Sequence, residues 1–120
     1  MNKTDKKKIN TFKKSIESTC KTISKNPKIS LLFGDNKNTN EYDINLPDIS
    51  YNSYYSDKDI IRGKSDSASL IKRYHNTNIH KLYSPSAEET EQMFIMAEHL
   101  RCELLGIKSF PGIAKNLLNL

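Results

Sequence analysis

From Lys7 to Lys25 the apolar residues Ile9, Phe12, Ile16, Cys20 and Ile23 recur at three- and four-residue steps. That spacing predicts a helix with one apolar stripe. Asn26-Pro27 ends it, because the residue before a proline is pushed out of the helical region. Asp57 to Tyr83 reads mainly as a second helix, with Ile61, Ala68, Ile71, His75, Ile79 and Leu82 on one side and Asp57 or Asp59 serving its N-terminal dipole. Ser84-Pro85 then starts a third, serine as N-cap and proline as first helical residue, with Glu88, Glu89 and Glu91 in its early turns. Met93, Ala97, Leu100 and Leu104 form the stripe by which it packs on the second helix, and Gly106 suits its left-handed C-terminal position. Gly63 is a weak point near the start of the second helix. Ser109 to Leu120 predicts one more short helix, with Pro111 near its beginning.

Between these helices, Lys28 to Phe33 is a short strand candidate. Tyr42, Ile44 and Leu46 alternate with Glu41, Asp43 and Asn45, the period of a half-buried strand. Gly34 to Asn40 is rich in turn formers, so the two strands are expected as a β-hairpin that packs on helices, being marginal alone. Residues 48–56, with Tyr51, Tyr54 and Tyr55, are expected as a loop anchored across the domain by its rings. The expected fold is a single α+β domain over residues 1–120. It is predominantly helical, with three long helices, a short C-terminal helix, a small β-hairpin and residues 1–6 as a disordered arm.

Charge is unevenly spread. The net charge is +5, yet residues 1–28 hold nine lysines against Asp5 and Glu17, a balance of +7, and the remainder, ten basic and twelve acidic residues, sums to −2. The basic start is read as a solvated helix face. A nucleic-acid module is the alternative, which the lack of interleaved arginine and aromatic residues argues against. Cys20 and Cys102 share no ligand-like spacing, and no signal peptide precedes them, so a reducing cytoplasm is the expected location. No apolar run approaches the roughly 20 residues of a membrane span. Neither a GxxxxGK[ST] phosphate loop nor a Gly-x-Ser-x-Gly elbow is present.

The residues with chemical potential cluster after Arg62. His75 and His80, five apart, point roughly 140° from each other on a continuous helix. They share a ligand only if the chain bends near residues 76–78. Otherwise His75 is a core histidine and His80 lies at a groove. His99 and Cys102, three apart, face the same way, a weak metal signal without a third ligand. Among Arg62, Asp66, Lys72, Arg73, Glu98, Arg101 and Glu103, pairing of Arg73 or Arg101 with Glu98 or Glu103 across helices is expected. An anionic pocket is the alternative.

Arg62-Gly63-x-x-Asp66, Arg73-Tyr74-His75-x-x-x-x-His80, Pro85, Glu98-x-x-Arg101-x-Glu103-x-Leu105-Gly106 and Gly112-Ile113-Ala114-x-Asn116-Leu117 occur in an order that resembles the amino-terminal region of the CobT family of cobaltochelatase subunits. The match covers most of the chain and is sharpest from Arg62 onward. It departs at Asn76, where the family pattern has an aspartate, and at Phe110, where it has a methionine. The resemblance implies a part in an ATP-dependent cobaltochelatase that inserts Co²⁺ into hydrogenobyrinic acid a,c-diamide. The implied partners are an AAA+ ATPase subunit, which uses ATP and Mg²⁺, and a large corrin-binding subunit. It also implies that the acidic linker and von Willebrand factor A domain of longer relatives are absent here. No cofactor, catalytic residue or membrane contact is expected in the domain itself. It reads as a docking domain, with Arg62, Arg73, His75, His80 and Arg101 at the partner face. The other readings are metal delivery through His75, His80, His99 and Cys102, and nucleic-acid binding.

Overall fold

The computed structural model describes residues 3–34 and 40–120, except for the side chains of residues 51 and 53. In chain order the elements are α1 (Lys3–Ser24), β1 (Ser30–Phe33), β2 (Asp43–Leu46), α2 (Tyr51–Tyr74), α3 (Thr77–Tyr83), α4 (Glu88–Ser109) and α5 (Ile113–Leu118). The domain is α+β and dominated by helix, as the periodicity predicts.

Helix α1 buries the stripe Ile9, Phe12, Ile16, Cys20 and Ile23 that its spacing defines. It begins at Lys3, so Lys3 to Lys6, expected as an arm, are helical; residues 1 and 2 lie outside the described part. It ends just before Lys25, which takes the left-handed conformation (φ 56°) while Asn26 N–H donates to the Lys21 carbonyl. That closure satisfies carbonyls left open at the helix end.

The two strands pair, but in parallel: Ser30 sits opposite Asp43 and Phe33 opposite Leu46. The expected hairpin is therefore corrected. Alternation fixes which residues face the core, here Ile44 and Leu46 at 2% and 3% exposure, but says nothing of which way the partner runs. Of the expected turn, residues 35–39 lie outside the described part. Gly34, at φ +99°, takes a conformation open to glycine, and its N–H donates to the Leu46 carbonyl.

Two further expectations give way in the middle of the chain. Of the polar stretch 48–56 expected as a loop, residues 51–56 are the start of α2, so Asp57 and Asp59 are not at its N-terminus. The second predicted helix is broken after Tyr74, where the Asn76 side chain accepts from Ile79 N–H and caps α3. An aspartate there would cap equally well. Helix α4 starts at Glu88 with Ala87 as N-cap, not at Ser84-Pro85, and Ser84 instead closes α3 by donating its N–H to the His80 carbonyl.

The main core joins α1, the strands and α2 through Ile9, Phe12, Ile16, Ile29, Ile44, Leu46, Ile49 and Ile61. A smaller cluster joins α1, α2 and α5 through Ile23, Leu70 and Ile113. Helix α2 meets α1 through Ser65 and Ser69, both almost fully buried. Their hydroxyls donate back to the carbonyls of Arg62 and Ser65, so the polar groups are satisfied within the helix and small side chains permit close approach.

The predicted stripe of α4 is the finding that differs most. Met93, Leu100 and Leu104 are 69%, 55% and 57% exposed. Helix α4 packs on α2 through its other side, Cys102 and Gly106. Gly106 is not a left-handed cap but a contact: a Cβ there would lie 2.3 Å from a Leu70 methyl. Gly63 likewise sits against the Asn116 carbonyl, 2.4 Å from where its Cβ would be.

Candidate functional site

The break between α2 and α3 and the inward side of α4 meet around Glu98. Arg101 grips that carboxylate with two nitrogens, Nη2 to Oε1 at 2.6 Å and Nε to Oε2 at 2.8 Å, and also donates to the Tyr74 carbonyl at 3.1 Å. His75 Nδ1 lies 3.1 Å from Glu98 Oε1. An ionised carboxylate only accepts, so Nδ1 carries the proton. The Cys102 thiol donates to the same oxygen at 3.6 Å. With Arg101 the main cause and His75 adding to it, against the opposing effect of burial, the Glu98 carboxyl is pulled down to about 2. Burial, then the Glu98 charge, pushes the Cys102 thiol up to about 11. Glu98 is thus a fixed anion that ties the end of α2 to α4.

His80 stacks beside this clamp. Its ring centroid is 5.0 Å from that of His75 and 4.9 Å from that of Phe94, and its Nδ1 is buried without a hydrogen-bond partner among the described residues. An open groove of about 480 Å³ lies here, lined by Tyr74, Asn76, Ile79, His80, Phe94, Glu98 and Arg101. Its outer wall, α3, has no buried residue and leaves Ile79, Leu82 and Tyr83 at 58%, 77% and 70% exposure.

Of the five residues expected on one face, the structure brings together His75, His80 and Arg101. Arg73 is elsewhere: it donates to the Ile23 carbonyl at 3.0 Å and lies 5.3 Å from the ring centroids of Tyr74 and Phe110, holding the C-terminus of α1. Arg62 stands over Phe12, beside a small cleft it shares with Asp66 and Asn116. The expected inter-helix carboxylate pairs are corrected in the same way. Arg101 bonds Glu98 within α4, Arg73 bonds a carbonyl, and Glu103 accepts from Ser67 across the α2–α4 contact at 2.7 Å. Asp66 is 3% exposed and accepts from Asn116 at 2.7 Å, so these two motif residues tie α5 to α2. Burial raises its carboxyl against the effect of that bond.

The metal candidates are not assembled. His99 faces solvent while Cys102 is fully buried, so their shared spacing does not give a shared face. Among the described residues no group of three or more His, Cys, Asp or Glu is arranged to hold a metal ion. Also among the described residues, no helix is long and apolar enough to cross a membrane.

What sequence reasoning missed is the role of Phe94 and of the Tyr74 carbonyl. The i, i+3 spacing of Glu98 and Arg101 was the available signal for the clamp, and a backbone acceptor carries none.

The class these features define is a helical α+β domain whose charged residues brace helices against one another and leave an apolar-edged groove at one end. Residues 6–120 match the family described as cobalamin biosynthesis protein CobT, and the chain belongs to that family. Its involvement is therefore in cobalamin biosynthesis, in the cobaltochelatase context. No solved structure matches the chain.

Proposed function

We propose that this chain is a docking domain of the CobT-type cobaltochelatase subunit. It joins the AAA+ ATPase subunit and the large corrin-binding subunit so that Co²⁺ is inserted into hydrogenobyrinic acid a,c-diamide. The observation that carries this reading is the α3 edge of the groove. Three large apolar side chains, Ile79, Leu82 and Tyr83, are exposed there beside Arg101, whose side chain is half exposed although Glu98 fixes its direction. A preset arginine next to exposed aromatic and aliphatic groups is the composition of an interface centre. Co²⁺ enters as the complex's substrate, and ATP and Mg²⁺ belong to the AAA+ subunit.

The test is co-purification of the AAA+ subunit on the tagged chain. Wild type retains it; Leu82→Asp, whose site is solvent-exposed, loses it with Tm unchanged, and Arg101→Ala weakens it. Retention by Leu82→Asp at the wild-type level removes α3 from the interface.

A further inference from the structure

Helix α4 packs inward through one side and leaves an apolar line on the opposite one. Toward α2 it turns Glu98, Cys102 and Gly106. On the far side Met93, Ala97, Leu100 and Leu104 step by four, three and four residues, and Ile107 follows three further on. Met93, Leu100 and Leu104 are more than half exposed, as is Met96 beside them at 69%. Apolar residues repeating every 3.5 positions keep one line facing a neighbour over several turns, which is what a second helix packs into. A single-sided surface helix has polar groups in that position.

We propose that this seam pairs α4 with the α4 of a second copy of the chain, antiparallel about a twofold axis. Charge sets the direction. The first turn of α4 carries Glu88, Glu89 and Glu91 and its last turn Lys108. Antiparallel pairing brings each acidic end beside the other copy's basic end and opposes the helix dipoles; parallel pairing sets acid beside acid. Side-chain size sets the register. With the axis between Ala97 and Leu100, Ala97 of one copy meets Leu100 of the other, and Met93 meets Leu104. Small then faces large in the centre, and the axes come close. In a parallel pair Ala97 faces Ala97 and leaves a gap. From Met93 to Ile107 the seam runs about 21 Å. That is at the small end for a specific interface, so the dimer is weak and reversible. This pairing uses α4 and not the α3 edge proposed for docking, with Arg101 at the border between the two.

Sedimentation velocity of the purified chain, from low to high micromolar, tests it. The expected result is a monomer that passes to a dimer as concentration rises. Leu100→Glu should weaken this by roughly thirtyfold or more, with Tm unchanged because the position is exposed in the monomer. Orientation is read by disulfide trapping. Met93→Cys chains mixed with Leu104→Cys chains should cross-link under mild oxidation, whereas neither variant cross-links to itself. Cys20 and Cys102, both at 0% exposure, do not compete. A monomer at every concentration, a Leu100→Glu chain that dimerises like wild type, or a Met93→Cys chain that cross-links to itself overturns the proposal.

Discussion

Gly106→Ala sets helix propensity against packing, and the two predict opposite signs. In a helix interior, alanine is favoured over glycine by about 1 kcal/mol. A methyl group at 106, however, would lie 2.3 and 2.4 Å from the two methyls of Leu70 and 2.8 Å from its Cγ. Carbon atoms rest at about 3.5–4.0 Å, so the whole branched end of Leu70 must move. It has nowhere to go: Leu70 is fully buried, clustered with Ile23 and Ile113. Overpacking costs about 1–3 kcal/mol, and three clashing atoms place this case at the upper end. Subtracting the propensity gain leaves a net loss of about 1–2 kcal/mol, or roughly 5–10 °C in Tm for a domain of this size. Urea and thermal melts followed by circular dichroism measure it. Leu70→Ala alone should cost about 2–5 kcal/mol. Added to that variant, Gly106→Ala should be neutral or stabilising, because its methyl enters the vacated space. A rise in Tm for Gly106→Ala alone, or strict additivity in the pair, would refute the reasoning.

Three more outcomes follow from the ionisable groups. Glu98 has a folded-state value of about 2 against an ordinary 4.5, so its stabilising effect is complete above 4.5 and fades as pH falls toward 2. Glu98→Gln should lower stability by about 1 kcal/mol at neutral pH and flatten that acid limb, read from urea melts across pH. Asp66 works in the opposite sense. Its carboxyl is raised above 3.8, so its contribution is full below that value and is lost as pH rises through the folded value. Melts of Asp66→Asn should therefore lack that slope. Finally, Cys20 and Cys102 are both buried with raised thiols, so neither should react with a thiol reagent at neutral pH until urea unfolds the chain. Rapid labelling of the native protein would contradict their placement.

Helix α1 was legible because its inward positions are apolar or cysteine as far as Ile23, with only Ser24 at its end polar, and the period then leaves one solution. Helix α2 was legible as a helix but its inward side only in part, since beside Ile61 and Ala68 that side includes Gly63, Ser65, Asp66 and Ser69, residues that look like a solvent face. Two of them hide their polarity in bonds to their own helix, and Asp66 hides its own in a bond to Asn116, fifty residues away. Helix α4 offers two sides for packing, and periodicity favours the longer apolar side chains of Met93, Leu100 and Leu104. The fold takes the other side because Leu70 needs the gap at Gly106 and because Arg101 and His75 neutralise the cost of burying Glu98.

The same reasoning explains why the candidate site was half visible. Residue types named it: His80 and Arg101, two of the five expected residues, line one groove, and His75 sits beside it against Glu98 and His80. Spacing could not, because His75 and His80 on one unbroken helix would diverge. What joins them is the break at residues 75–76, and that break is stabilised locally. Asn76 supplies the cap that starts α3, while His75, the last residue before it, is held by Glu98 from a different helix. Neither half suffices alone. The cap permits a new helix but does not aim it, and the Glu98 contact holds His75 but does not end α2. Together they set α3 across α4 with His80 against Phe94, and so leave Ile79, Leu82 and Tyr83 outside. The exposed edge is thus a consequence of how the chain is broken, which no count of apolar residues along a continuous helix would give.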